Sequence, residues 1–247
     1  MDLLTQTDRD NIRNMLSDPQ TENDITFILW ATVAYAAARL STEIILPHKH
    51  RGYTYQQYLV TLTHQAIILP LCALGWISGR IDDAANYIYL LTGAYVFSDS
   101  IINYSPVAGC VAGVDGAPGF SWGIHSHHLF TVMLCLLGTT LPPWLESKGA
   151  IYILLGEAGS LWITVTLLRP SATNFFLRHY SFLITRFVGT LIAMDIVRQL
   201  ESICHASLLL VSVIGLAYDH MRTIRLMGSA TQKVSGAGFA NQRGLSR

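Results

Sequence analysis

The side chains best suited to chemistry are the histidines His125, His127 and His128, which fall within four positions of an otherwise apolar segment. Two carboxylates, Asp99 and Glu157, lie in other apolar segments. A neutral imidazole acts as a general base or accepts an acyl group, and a carboxylate bound to its second nitrogen orients the ring. We therefore take His127, His128, Asp99 and Glu157 as the candidate catalytic residues.

Imidazole and carboxylate ligands also suit zinc or iron. However, the nine histidines include no H-x-x-x-H pair, and His48, His50, His179 and His220 lie at or beyond the ends of the apolar segments. His205 lies late in the chain and has no second histidine four residues further on. The spacing favours acid–base or acyl chemistry, and we predict no metal cofactor.

Further ionisable side chains lie inside the apolar segments: Arg39, Glu43, His64, Arg186, Asp195, His205 and Asp219. A charge at the centre of a bilayer costs about 2.5 to 3.5 kcal/mol, so each must face the protein interior or be paired. Arg39 and Glu43 are four residues apart, and this spacing predicts an ion pair on one helix face. His64 and His205 are also compatible with simple packing roles.

Helical spacing places several of these groups on polar stripes. The stripes are Gln57–Thr61–His64, Tyr95–Asp99–Asn103, Glu157–Ser160–Thr164 and His125–His128. Stripes that converge in one bundle predict a polar cavity walled by lipid-facing Leu, Ile and Val. We expect four residues to line this lipid cavity: His64, His125, Ser160 and Arg186.

The composition identifies the elements that position these residues. The chain is 51% hydrophobic and only 13% charged, whereas soluble domains are about 25% charged. Its mean hydropathy is +0.38. The net charge of +0 argues against a nucleic-acid partner, which requires a basic surface. The sequence therefore predicts an integral membrane protein.

A membrane-spanning helix needs about 20 apolar residues. Segments of that length are 25–46, 58–78, 84–104, 122–141, 150–168, 180–198 and 203–220. We predict an all-α polytopic membrane protein of seven transmembrane helices, or six if the first lies at the interface. Its parts are a polar N-terminal segment (1–24), the transmembrane domain (25–228) and a polar C-terminal tail (229–247).

The order and spacing of the polar motifs resemble the TLC family of polytopic lipid proteins, which includes the ceramide synthases and smaller TLC-domain proteins. The matching stretches are THQA at 63–66, GAYVFSD at 93–99, HHLFT at 127–131, GEAGS at 156–160 and residues 182–186. The resemblance covers about residues 25–228. It implies a TLC-like bundle of six or seven helices around a lipid-chain cavity.

In the ceramide synthases, the adjacent histidines that correspond to His127 and His128 serve acyl transfer from acyl-CoA to a sphingoid amine. Those enzymes follow the pair with an H-D-x-x-D element. This chain has the Glu157 segment there, and the smaller non-synthase relatives carry such a glutamate. The resemblance therefore implies a lipid protein whose acyltransferase machinery is incomplete.

These observations favour a non-catalytic lipid-binding protein that acts as an accessory or structural subunit of a larger membrane assembly. The alternative is a lipid acyltransferase that uses His127 and His128 on an amine or hydroxyl. A transporter, a receptor and a metal-dependent hydrolase also remain open. We expect a bound phospholipid or acyl chain, membrane lipids and other membrane subunits as partners. The resemblance implies the endoplasmic reticulum, and a complex subunit would fit the mitochondrial inner membrane.

Overall fold

A computed structural model describes residues 19–50, 53–104 and 122–244 of the chain. These residues form seven α-helices and one short hairpin. The helices are α1 (Pro19–Ile45), α2 (Tyr55–Ile77), α3 (Ile81–Tyr104), α4 (Trp122–Gly138), α5 (Pro143–Leu168), α6 (Ala172–Gln199) and α7 (Ile203–Gly244). Between α1 and α2, strands β1 (Lys49–His50) and β2 (Tyr53–Thr54) pair antiparallel. The predicted all-α fold is confirmed.

Five helices are long and apolar enough to cross a membrane. Their apolar parts are Glu22–Ile45, Tyr55–Ile77, Trp144–Leu168, Ala172–Gln199 and Ile203–Thr231. Large apolar side chains face outward from them, among them Trp30, Trp76 and Phe187, which are 60 to 71% exposed. Such a surface needs hydrocarbon around it. The chain is therefore an integral membrane protein with helical spans.

Helices α3 and α4 fill the other two predicted spans but are not among the five apolar ones. Helix α3 has 24 residues and is long enough to cross, at about 1.5 Å per residue. It packs against α1, α2, α4 and α5, so much of its surface faces protein and accepts polar residues. Helix α4 has 17 described residues.

Local sequence signals set several helix ends. Proline begins α1 at Pro19, where the missing N–H has no partner to lose. The Ser171 hydroxyl accepts a hydrogen bond from the Asn174 N–H at 3.1 Å and caps α6. Between α2 and α3, Gly79 adopts a φ of +68°, which glycine tolerates best. Helices α1 and α6 begin before their predicted starts at residues 25 and 180, whereas both ends of α2 and of α3 lie within three residues of the predicted ones.

The C-terminal boundary differs from the prediction. Helix α7 continues past residue 229 to Gly244, where a polar tail was expected. Met227 is buried, and the Thr231 hydroxyl donates to the Phe175 carbonyl of α6 at 3.3 Å. Gly228 lies close against His179 of α6. These contacts join α7 to α6 as far as Thr231, the end of its apolar part. Residues 1–18 of the predicted N-terminal segment (1–24) and residues 105–121 between α3 and α4 lie outside the described residues.

The apolar core is centred on α3. Ile88 and Tyr89 of α3 are almost fully buried among residues of α2, α4, α5, α6 and α7. The Tyr89 ring fits between two glycines, Gly138 of α4 and Gly149 of α5. Its hydroxyl donates to the Glu146 carbonyl at 2.7 Å. Small residues here allow close helix approach, as is common between membrane helices.

We expect Gly149→Ala to destabilise the bundle, because the added methyl group would collide with the Tyr89 side chain. Overpacking of this kind costs about 1 to 3 kcal/mol. Gly156→Ala on the same helix is the matched control, since its methyl group would lie 3.7 Å from the nearest atom, Arg186 Nη1. It should leave stability unchanged or raise it by up to about 1 kcal/mol. Thermal unfolding in detergent measures both; equal losses would contradict the packing of Tyr89.

Candidate functional site

The first polar cluster, the Arg39 cluster, joins α1, α2, α3 and α4 through Arg39, Gln56, Asp99, Asn103 and His128. Arg39 is fully buried, and its Nη1 atom lies 2.8 Å from Asp99 Oδ1. The same nitrogen donates to Gln56 Oε1 at 3.2 Å. Asn103 donates to Asp99 Oδ1 at 2.7 Å and accepts a hydrogen bond from Gln56 Nε2. The carboxylate of Asp99 is therefore neutralised inside the bundle.

Arg39 pairs with Asp99 and not with Glu43, so the predicted pairing within α1 is wrong. A pair within one helix would leave both charges on a single face. A pair between helices instead ties α1 to α3 and places the charges among protein groups. The predicted Tyr95–Asp99–Asn103 stripe is confirmed for two of its members, because Asn103 donates a hydrogen bond to Asp99.

His128 links this cluster to α4. Its Nδ1 atom lies 2.7 Å from the Ser100 hydroxyl, and its Nε2 atom lies 3.6 Å from Asp99 Oδ2. The His128 side chain is 13% exposed. Asp99 and His128, both candidate catalytic residues, are thus brought together, with Ser100 as a third member that the sequence reasoning missed.

The second cluster, the Glu157 cluster, joins α1, α2, α3 and α5 through Tyr35, His64, Gln65, Tyr95 and Glu157. His64 is fully buried, stacks on the Tyr95 ring at 4.2 Å and lies 2.9 Å from the Tyr35 hydroxyl. Its Nε2 atom lies 3.7 Å from Glu157 Oε1, while Gln65 donates to Glu157 Oε2 at 3.3 Å. The His64 side chain is therefore enclosed by side chains of α1, α3 and α5.

The third cluster, the Arg186 cluster, joins α4, α5, α6 and α7 through His127, Ser160, Arg186, Asp219 and His220. His127 Nδ1 lies 3.2 Å from Asp219 Oδ2, although the atoms are not aligned as a hydrogen bond. The His220 ring contacts the His127 ring edge-on, with centroids 5.6 Å apart. Arg186 donates to the Ser160 hydroxyl at 2.7 Å.

A cavity of about 60 Å³ lies beside the Arg186 cluster, between α4, α5, α6 and α7. Its polar lining is His127, Thr131, Ser160, Thr185, Arg186 and His220. The apolar remainder includes Leu134, Ile153 and Leu216. The cavity is far smaller than an acyl chain.

The four candidate catalytic residues are therefore divided among three clusters. Asp99 and His128 share the Arg39 cluster, whereas Glu157 contacts His64 and His127 faces Asp219. Two carboxylates and two histidines do not converge on one point.

The four predicted cavity residues also separate. Ser160 and Arg186 both line the cavity between α4, α5, α6 and α7. His64 lies in the Glu157 cluster, and His125 is partly buried on α4 outside the cavity lining. Asp219 and His220 of α7, which were not among the candidate site residues, both lie at His127.

The described residues include no set of ligands for a metal ion. Across residues 19–50, 53–104 and 122–244, no three His, Cys, Asp or Glu side chains are grouped so that they could hold an ion. Comparison with family models, with curated proteins and with solved structures gives no match.

We expect Asp99→Asn to destabilise the protein strongly, since it leaves the buried Arg39 charge without its carboxylate. Removing one partner of a buried pair costs about 3 to 5 kcal/mol. Asp83→Asn on the same helix is the control: Asp83 pairs with Arg80 at 2.8 Å, but both side chains are at least 65% exposed. That change should cost less than about 1 kcal/mol. Chemical unfolding in detergent compares them; a mild Asp99 variant would exclude a structural role for the pair.

Proposed function

We propose that the chain is a lipid-binding integral membrane protein with a TLC-like bundle, which acts without catalysis as an accessory or structural subunit of a larger membrane assembly. One observation carries this proposal: the candidate catalytic carboxylates already have partners. Arg39 binds Asp99 at 2.8 Å, and Gln65 and His64 approach Glu157. Groups committed to joining helices are poorly placed to exchange protons with a substrate.

The proposal includes six or seven transmembrane helices, with α3 and α4 crossing beside the five apolar ones. Support comes from the length of α3 and from its contacts with four neighbouring helices. A central helix is shielded from lipid, so it tolerates Asp99 and Asn103. This arrangement agrees with the resemblance to the TLC family, which rests on the motifs alone.

The outer surface of α1 supports the proposal that the chain packs against other membrane subunits. Few of the described side chains of α1 are buried, and Leu29, Trp30 and Val33 project outward. That face is available to lipid tails or to a neighbouring helix. The membrane is then the endoplasmic reticulum by family resemblance, or the mitochondrial inner membrane for a subunit of a complex there.

The alternative function is a lipid acyltransferase, and the contacts of His128 favour it. A serine hydroxyl at Nδ1 and a carboxylate near Nε2 are the groups that nucleophilic catalysis uses. In that reading Ser100 or a histidine carries the acyl group, and His127 with Asp219 is a second acid–base pair. Against it stand the neutralised Asp99 and the small cavity.

We expect native mass spectrometry of the protein, released from mild detergent, to show bound lipid together with co-purifying membrane subunits. The double variant His127→Ala, His128→Ala should leave the turnover of acyl-CoA by purified membranes unchanged, since neither histidine acts on substrate. His205→Ala serves as the matched control, because His205 lies at the end of the bundle beside Thr140.

Two results would contradict the proposal. Turnover that falls at least about a hundredfold in the double variant, with the fold intact, would establish catalysis instead. A protein that carries neither lipid nor subunits after gentle extraction would remove the binding role.

A further inference from the structure

Arg186 is a partly buried cation on α6 that lines the cavity. Its Nη1 atom donates to the carbonyls of Leu155 and Gly156 at 3.2 and 2.7 Å, and its Nη2 atom donates to the Ser160 hydroxyl at 2.7 Å. All three acceptors are neutral. Its Nε atom is buried and has no hydrogen-bond partner. No ion pair in the described part of the chain includes this arginine.

Two nearby acids, Glu157 and Asp219, attract the Arg186 charge, but neither forms an ion pair with it among the described residues. Glu157 follows Gly156 on α5, but its oxygens contact His64 and Gln65 of α2. Asp219 pairs with His127. No carboxylate belongs to the described cavity lining, which instead offers hydroxyl, imidazole and guanidinium groups. The described lining therefore presents a guanidinium and no carboxylate, and a partly buried cation that lacks an ion-pair partner favours an anion.

The size of the cavity limits what can enter. One water molecule needs about 10 to 15 Å³ of such volume, so about 60 Å³ corresponds to roughly four waters. That space suits a group of three to five non-hydrogen atoms and excludes an acyl chain. A carboxylate or a phosphate has this size, and both bind arginine through charge-assisted hydrogen bonds.

We propose that this cavity is a binding site for the oxyanion, carboxylate or phosphate, of a lipid headgroup. Arg186 supplies the charge, and the Ser160 hydroxyl and the imidazoles of His127 and His220 supply further polar contacts. The inference rests on the proposed lipid-binding function, to which it adds the class of headgroup. Lipids that end in a carboxylate or a phosphate monoester bind here, whereas the phosphate of phosphatidylcholine carries a choline that is too large for the cavity.

The test measures binding of dioleoyl phosphatidic acid, oleate, dioleoyl phosphatidylcholine and inorganic phosphate to the full chain in mild detergent, by native mass spectrometry and by ligand-induced thermal stabilisation. Phosphatidic acid or oleate should bind at least about tenfold more tightly than phosphatidylcholine. Binding of inorganic phosphate shows whether the cavity takes up a free anion that is not part of a lipid.

The key variant is Arg186→Gln, which should remove the preference for acidic lipid by about tenfold or more. Ser160→Ala is a milder variant that keeps the charge, and it should weaken the same preference several-fold. Arg178→Gln is the matched control on the same helix, because Arg178 lies against Phe175 outside the cavity lining. Size-exclusion chromatography verifies that each variant is folded. If Arg186→Gln does not fold, the lipid preference of Ser160→Ala tests the anion site instead.

The outcomes separate the two proposals. Acidic lipid that binds wild-type and Ser160→Ala equally well overturns the anion site. So does lipid that binds without regard to headgroup charge, although lipid binding itself then stands. Inorganic phosphate that binds through Arg186 while acidic lipid does not would overturn the headgroup as its source. Complete absence of bound lipid contradicts the proposed function.

Discussion

The ion pair between Arg39 and Asp99 is the contact on which the packing of α1, α2, α3 and α4 depends. Arg39 is fully buried within a chain whose outer surface is apolar. A charge in that position is stable only when a counter-charge and further hydrogen bonds surround it, which Asp99, Gln56 and Ser98 supply. Gln56 lies on α2, and Asp99 lies on α3. The requirement to satisfy one guanidinium therefore fixes which helices are neighbours.

The same requirement explains why α3 is both central and comparatively polar. Its face toward α1 and α2 carries Tyr95, Asp99 and Asn103, and Tyr89 enters the apolar core beside two glycines. Polar contacts thus connect α3 to the first helices, and close packing connects it to α4 and α5. The Arg186 cluster differs, because its arginine has neutral acceptors only. This contrast separates groups that stabilise the bundle from a group that can still bind a ligand.

The sequence by itself determined the membrane class and the helical elements. Low charge and apolar segments of about 20 residues leave few alternatives, since hydrocarbon requires every backbone N–H and C=O to be bonded within the helix. The inward placement of Ser160 and Arg186 followed for the same reason, because polar groups avoid lipid. The contact of Thr231 on α7 with Phe175 on α6 did not, since local composition does not reveal which helices meet.

Only the tertiary structure decided which polar groups meet. Helical spacing shows which residues share a face, and on that basis Glu43 was the expected partner of Arg39. The structure pairs Arg39 with Asp99 instead, and it places His127 beside Asp219 and not beside Glu157. Partners of this kind lie on different helices, and their distance depends on the order, rotation and depth of those helices in the bundle. These quantities follow from packing across the whole chain, so hydrophobic patterning within one segment cannot fix them.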